Sequence, residues 1–288
     1  MLFLLLACAP TEHPPATWSA DGCSSADGRS LWTRTDRIRL EQSDGVRLSV
    51  EIREPSSCGP AVVMIPGGLQ VGLSMLDTDQ TDTLLDAGVA VVAFDPRGRG
   101  ESEGEEDANG AAAQDDLAAV LRWTAARERV DPGAVVVFSR SFGAAMASGA
   151  LARHGDLSPV GWLDYEGPGF MSEDIQYAQG QGADAILDLA EASGDPATWW
   201  AEREPAGFID AVTTGYWRIQ GRPDHALGAR LDHTLACLSA ATGVASRQLN
   251  DTPISLPVTE ADIEDHVIGG GLEPDDPYVT EVLLSILQ

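Results

Sequence analysis

The chain has 288 residues, of which 18 are basic and 45 acidic, for a formal net charge of −27. That charge repels nucleic-acid backbones and anionic lipid surfaces, so neither is an expected partner. A hydrophobic content of 43% supplies a real core and excludes wholesale disorder.

All 18 basic residues are Arg. The absence of Lys excludes a Walker-A phosphate loop, a Schiff-base lysine and a Ser–Lys dyad.

The chain opens with the apolar run MLFLLLACAP, which ends in Leu5-Leu6-Ala7-Cys8. It resembles a bacterial lipobox, in which a small residue precedes a cysteine that takes lipid; no basic residue stands ahead of the run. The resemblance implies a signal peptide over 1–7, lipidation at Cys8 and an exported protein held in the cell envelope. Membrane contact is expected only through that anchor. No later stretch is long and apolar enough to span a bilayer as a helix. Residues 8–30, rich in Pro, Ser, Ala, Thr, Gly and Asp, read as a flexible tether. With Cys8 lipidated, Cys23, Cys58 and Cys237 remain, and Cys23–Cys58 is the expected disulfide. No CxxC pair or Cys/His cluster points to zinc.

From residue 31 onward the pattern is that of one α/β domain. Arg37–Leu40 and Val46–Arg53 alternate polar and apolar residues around Ser43-Asp44-Gly45, which predicts an antiparallel hairpin. Continuous apolar runs follow at Ala61–Ile65, Val89–Phe94 and Ala134–Phe138, with shorter strands at Val160–Leu163, Tyr216–Gln220 and Ser246–Leu249. Helical patterns stand between them at Thr81–Ala87, Asp115–Ala126, Phe142–Arg153 and Leu227–Ala241, and Tyr278–Leu287 closes the chain. Buried strands alternating with helices predict a mostly parallel, doubly wound sheet of about eight strands covered on both faces. The long connection over about 167–213, with a helical stretch at Asp184–Ala192, is expected to form a small helical cap over the strand ends.

The chemistry is carried by AVVVFSRSFGAAMASG at 134–149. A strand runs into Ser139-Arg140-Ser141-Phe142-Gly143 and then a helix of small residues. This resembles the nucleophile elbow of the α/β hydrolases, G-x-S-x-G, with Ser139 at the first glycine position. The turn lifts the nucleophile off the sheet, so the residues two before and two after must be small. The helix that follows aims its N-terminus at developing negative charge. Two further segments match the family in order and spacing. Ile65-Pro66-Gly67-Gly68-Leu69 resembles the oxyanion loop, and Asp95-Pro96-Arg97-Gly98-Arg99-Gly100-Glu101-Ser102 resembles its D-x-R-G-x-G-x-S turn, in which Asp95 and Arg97 would brace loops. The resemblance is strongest over residues 60–150 and weak in the cap.

The resemblance implies a serine hydrolase of the dienelactone-hydrolase or prolyl-peptidase-like type, with Ser141 as nucleophile and an oxyanion hole of the Phe142 N–H plus that of Leu69 or Gly68. The family's chain order of nucleophile, acid and histidine points to Asp224, in Gly221-Arg222-Pro223-Asp224-His225, as acid, and to His266, read as a loop residue before the last helix, as base. His225 stands as the alternate base, and Asp164 and Glu166 as the other candidate acids. Such a site needs no metal and no organic cofactor. The implied substrate is a small-molecule ester or short peptide. Three functions stay open: an esterase, a prolyl-peptidase-like peptidase using Glu202, Glu204 or Glu166 to bind an amine beside Trp199, Trp200 and Trp217, and a non-catalytic binding protein that retains the fold.

Overall fold

A computed structural model describes residues 34–55, 58–178 and 181–287. The segments expected to hold a signal peptide, a lipidated Cys8 and a tether lie outside the described residues. Cys58 is disulfide-bonded and Cys237 is free and buried; the expected partner Cys23 lies outside the described residues.

The hairpin is β1 (Arg34–Glu41) and β2 (Arg47–Glu54), and β3 (Gly59–Ile65) follows. Next come α1 (Asp79–Asp86), β4 (Ala90–Phe94), α2 (Ala111–Ala125), β5 (Val130–Arg140), α3 (Gly143–Arg153) and β6 (Gly161–Tyr165). The insertion after β6 holds α4 (Met171–Asp174), α5 (Gln181–Ala192) and α6 (Pro196–Ala201). The chain then runs through β7 (Gly215–Ile219), β8 (Gly221–Arg222), α7 (Asp232–Ala240), β9 (Arg247–Leu249), β10 (Thr252–Pro253), α8 (Glu260–His266), β11 (Ile268–Gly269) and α9 (Pro277–Ile286).

Among the described residues, nine strands form one sheet in the order β1-β2-β4-β3-β5-β6-β7-β9-β10, and β8 pairs with β11 apart from it. The strands from β4 through β9 are mutually parallel; β1, β2 and β10 add antiparallel edges. The extra strand beyond the eight expected is the two-residue β10.

Alternate residues of the central strands feed two apolar layers, as the pleat requires. Val63, Val92, Val137 and Trp162 face α2 and α3. Val62, Val91, Val136 and Leu163 face α1 and α9. Both faces are covered, which explains the continuous rather than alternating apolar runs.

Helix α2 starts at Ala111, four residues ahead of expectation, because the Asp107 carboxylate accepts from Ala113 N at 2.9 Å and supplies a first-turn partner. Helix α7 starts at Asp232 rather than Leu227. The preceding residues form a tight turn in which Asp224 and Gly228 exchange both backbone hydrogen bonds, at 2.7 and 3.1 Å, with Gly228 at φ +64°.

Candidate active site

Strand β5 ends at Arg140 and α3 begins at Gly143, which leaves Ser141 on the turn at φ +49°. A non-glycine residue is strained there and persists only where its surroundings over-determine it. Those surroundings are visible. Ser141 N donates to Tyr165 O of the neighbouring strand at 2.8 Å. A Cβ on Gly143 would lie 2.7 Å from Pro66 O and 3.1 Å from Ile65 Cγ2. Ser139, the small residue on the other side, is buried and accepts from the Trp162 indole N–H at 2.8 Å. Gly67 packs so tightly that a Cβ there would sit 3.2 Å from Ser141 Cβ, which puts the Pro-Gly-Gly loop directly against the elbow.

Sheet register supplies the next group. Arg140 of β5 pairs with Tyr165 of β6, so the residues just past them, Ser141 and Glu166, emerge from adjacent strand ends one strand spacing apart. Glu166 also sits at positive φ, +47°. Its side chain is wholly buried. One carboxylate oxygen accepts from Gly221 N at 2.8 Å; the other accepts from His225 N at 2.9 Å and faces His225 Nδ1 at 2.7 Å. His225 Nε2 stands 2.8 Å from Ser141 Oγ. The acceptor-only carboxylate assigns the Nδ1 proton and leaves the Nε2 lone pair toward the serine.

The expected partners are thereby corrected. His225, not His266, contacts Ser141. His266 is the last residue of α8 rather than a loop residue, and its carbonyl accepts from Asn250 Nδ2 at 2.7 Å. Thr259 caps that helix with a reciprocal Thr–Asp capping box, a signal present in the sequence as Thr259-x-x-Asp262. Glu166, not Asp224, takes the imidazole's direct hydrogen bond. Asp224 Oδ1 is 3.7 Å from His225 Nδ1 and instead accepts from Ala226 N and Leu227 N, both at 2.8 Å. Its second oxygen accepts from Gln220 Nε2 at 3.0 Å and His233 Nε2 at 3.2 Å. Asp164 is spent on a buried ion pair with Arg218 at 2.7 Å and on the Tyr216 hydroxyl at 2.8 Å.

Electrostatics follow the geometry. Burial pushes the His225 pKa down, but the Glu166 hydrogen bond and the charges of Asp224, Glu166 and Glu273 outweigh it, so the net shift is upward. Burial pushes Asp224 up, yet its hydrogen bonds from His233, Gln220 and Leu227 N hold its carboxyl well below the usual range. Glu166, Asp224 and His225 also offer three ligand atoms within 4.8 Å of one another; Glu166 and His225 spend theirs on each other.

Phe142 follows the serine directly, and Gly68 and Leu69 follow Gly67, which packs against it. The backbone N–H groups of Phe142, Gly68 and Leu69 donate to no acceptor among the described residues. The Asp-x-Arg-Gly turn braces this region. The Asp95 carboxylate accepts from the N–H groups of Gly72, Leu73 and Glu101 at 2.9–3.0 Å. Arg97 forms a bidentate pair with Asp116, both distances 2.7 Å. Over the elbow lies an apolar cluster in which Met171, Ile175 and Ile186 of the insertion meet Phe142, Ala145 and Leu69.

The strand order and the strand–elbow–helix unit are those of the α/β-hydrolase fold. Solved structures agree. The chain is similar to the α/β hydrolase GrgF from Penicillium sp. sh18 (TM-score 0.63, 16% identity, 88% of this chain and 98% of that one). It is similar also to an acetyl xylan esterase from Paenibacillus sp. R4 (TM-score 0.64, 13% identity, 88% and 83%). A puromycin-hydrolyzing peptidase of Mycobacterium tuberculosis matches with a TM-score of 0.63 and 15% identity over 75% of this chain and 35% of that one. The family model of the X-Pro dipeptidyl-peptidases (S15 family) matches residues 44–160, less than half of the chain. Two curated relatives, the uncharacterized proteins MT2364 and Rv2307c of Mycobacterium tuberculosis, are 33% identical over 114 residues, which is 39% of this chain and 39% of each relative.

Proposed function

We propose that the protein is a serine hydrolase that cleaves carboxylic esters through an acyl-enzyme on Ser141. The observation that carries this reading is the continuous relay Ser141 Oγ–His225 Nε2 at 2.8 Å and His225 Nδ1–Glu166 at 2.7 Å. His225 takes the hydroxyl proton as Oγ attacks the carbonyl carbon. Glu166 holds the imidazole tautomer and stabilises the imidazolium that forms. The N–H groups of Phe142 and Leu69 receive the charge on the tetrahedral oxygen, with the α3 N-terminus behind Phe142. Collapse returns the proton to the leaving alcohol, and water repeats the sequence to free the acid. The relay also argues against the non-catalytic reading.

An ester fits better than an X-Pro peptide. The carboxylates offered for a substrate amine are already engaged: Glu166 with His225, Glu204 with the Ser172 hydroxyl, and Glu202 with Arg203 at 3.1 Å. Trp199 packs edge-on against Trp200 and beneath Arg203, and Trp217 belongs to the layer of α1 and α9. The S15 family match ends at residue 160, ahead of the insertion that borders the elbow, so it carries no weight on specificity. Export with a lipid anchor at Cys8 is part of this reading, and the disulfide at Cys58 fits an oxidising compartment.

The test compares 4-nitrophenyl acetate and butyrate with an X-Pro 4-nitroanilide. Ester hydrolysis that disappears in Ser141→Ala is expected. A larger kcat/KM on the anilide would favour the peptidase, and hydrolysis that survives Ser141→Ala would remove the serine mechanism.

A further inference from the structure

One buried cation beside the site takes no part in the relay. Arg99 is 5% exposed and occupies a variable position of the Asp-x-Arg-Gly-x-Gly turn. Its neighbour Arg97 is engaged instead by Asp116 and Asp44. Arg99 forms a bidentate pair with Glu106 at 2.6 and 2.7 Å, donates to Asn109 Oδ1 at 3.0 Å and reaches Gly68 O at 3.3 Å. Asn109 in turn donates from Nδ2 to Phe142 O at 2.9 Å.

We propose that Arg99 is a positioning residue of the oxyanion hole: it pins the Gly68–Leu69 peptide and, through Asn109, the backbone of Phe142. The inference rests on the serine-hydrolase reading and adds a residue to it.

The argument begins with the loop. Gln70 N donates to Gly67 O at 3.1 Å, which closes a four-residue turn with Gly68 at φ +52°. The central peptide of such a turn joins Gly68 to Leu69. Turn types differ by the orientation of that central peptide, and the closing hydrogen bond does not fix it. Glycine at the first central position makes a flip cheap. A trans peptide is planar, with its C=O and N–H pointing in opposite directions. A donor on Gly68 O therefore sets where the Leu69 N–H aims. Among the described residues Arg99 is that donor. Its charge also polarises the peptide and strengthens the N–H as a donor.

The clamp is itself held against relaxation. Ala108 and Asn109 both adopt positive φ, 45° and 62°, a strained arrangement for non-glycine residues. Arg203, buried after α6, donates to Ala108 O at 3.1 Å and Asp107 O at 2.8 Å, and a Cβ on Gly110 would lie 2.0 Å from its guanidinium. This strained pair lies in the segment that carries Asn109 to the elbow.

An N–H that turns away affects the transition state more than substrate binding. In the purified full chain, Arg99→Met is expected to lower kcat on 4-nitrophenyl acetate by about 10- to 100-fold, somewhat less than outright loss of an oxyanion donor. KM should stay within about twofold. A trifluoromethyl ketone, whose serine adduct places an oxyanion in the hole, should weaken by the same factor as kcat/KM. Arg99→Lys keeps a charge opposite Glu106 and should fall between. Active sites are counted by end-point fluorophosphonate titration, so lost folding does not count as lost catalysis. If Arg99→Met fails to fold, the lysine variant carries the comparison alone. Unchanged kcat per titrated site with unchanged ketone affinity overturns the proposal. Ser141→Ala separates the two claims: an inactive Ser141→Ala beside a fully active Arg99 variant sinks this inference only, whereas an active Ser141→Ala removes the hydrolase reading and this inference with it.

Discussion

Replacing Glu166 by Gln keeps the shape of the side chain and removes one acceptor. In the wild type three donors converge on the carboxylate: Gly221 N, His225 N and His225 Nδ1. The amide can satisfy only one end. If its oxygen faces His225, its NH2 meets the Gly221 N–H, and a buried donor–donor contact costs about 1–3 kcal/mol. If its NH2 faces His225, the imidazole must move its proton to Nε2, and it can no longer accept from Ser141. Either way the tautomer or the charge that supports the imidazolium is lost. The equivalent carboxylate-to-amide change in a Ser-His-Asp triad costs about 10,000-fold in kcat, or about 5 kcal/mol. Asp224, 3.7 Å from Nδ1, leaves a second negative charge nearby, so a loss of about 1,000-fold is expected with little change in KM. The pH profile gives an independent check. His225 must be neutral to accept a proton, and its pKa is raised above the ordinary 6.5, so kcat/KM should rise with pH to a midpoint above that value. In Glu166→Gln the midpoint should move down. Steady-state ester hydrolysis from pH 5 to 9 measures both. A loss below about tenfold in Glu166→Gln, with a larger loss in Asp224→Asn, would refute the assignment of Glu166 as the orienting acid.

Asp224→Asn should lower stability by about 1–3 kcal/mol, because four donors meet a weaker acceptor. The sign of its pH dependence follows from a depressed carboxyl pKa. The stabilisation is present above the ordinary 3.8 and fades as pH falls below it. Thermal unfolding below pH 4 should therefore be less pH-sensitive in the variant. Gly143→Ala forces a Cβ to 2.7 Å from Pro66 O; with backbone on both sides, about 1–3 kcal/mol of destabilisation and a displaced elbow are expected, read by urea titration and ester hydrolysis. Arg218→Met leaves Asp164 buried without its cation and should cost about 3–5 kcal/mol in denaturant unfolding.

The strand–elbow–helix unit was legible because its constraints are local: an apolar run, a serine between small residues, and a helix of Ala and Gly. The parallel core strands were legible for the same reason, since two covered faces leave no room for alternation. The acid and the base depend on which strands are neighbours, which periodicity does not report. Glu166 follows β6 directly, and only the pairing of β5 with β6 brings it beside Ser141. Its signal in the sequence is a carboxylate at a strand end followed by Gly167-Pro168-Gly169. In the sequence Asp224-His225 reads as an acid beside the alternate base. In the fold Asp224 holds the turn and His225 projects from it. The expectation for His266 came from its place in chain order, and chain order gave the sequence of roles without saying which strand end carries each. Arg99 was hidden by the motif around it, which draws attention to Arg97.

The relay from Glu166 through His225 to Ser141 is tested most directly by the rate of fluorophosphonate labelling, followed by intact mass and peptide mapping. Wild type and His266→Ala should label at Ser141 at equal rates, His225→Ala should label far more slowly, and Ser141→Ala should not label. Labelling of His225→Ala at the wild-type rate, or its collapse in His266→Ala with the fold intact, would contradict the account.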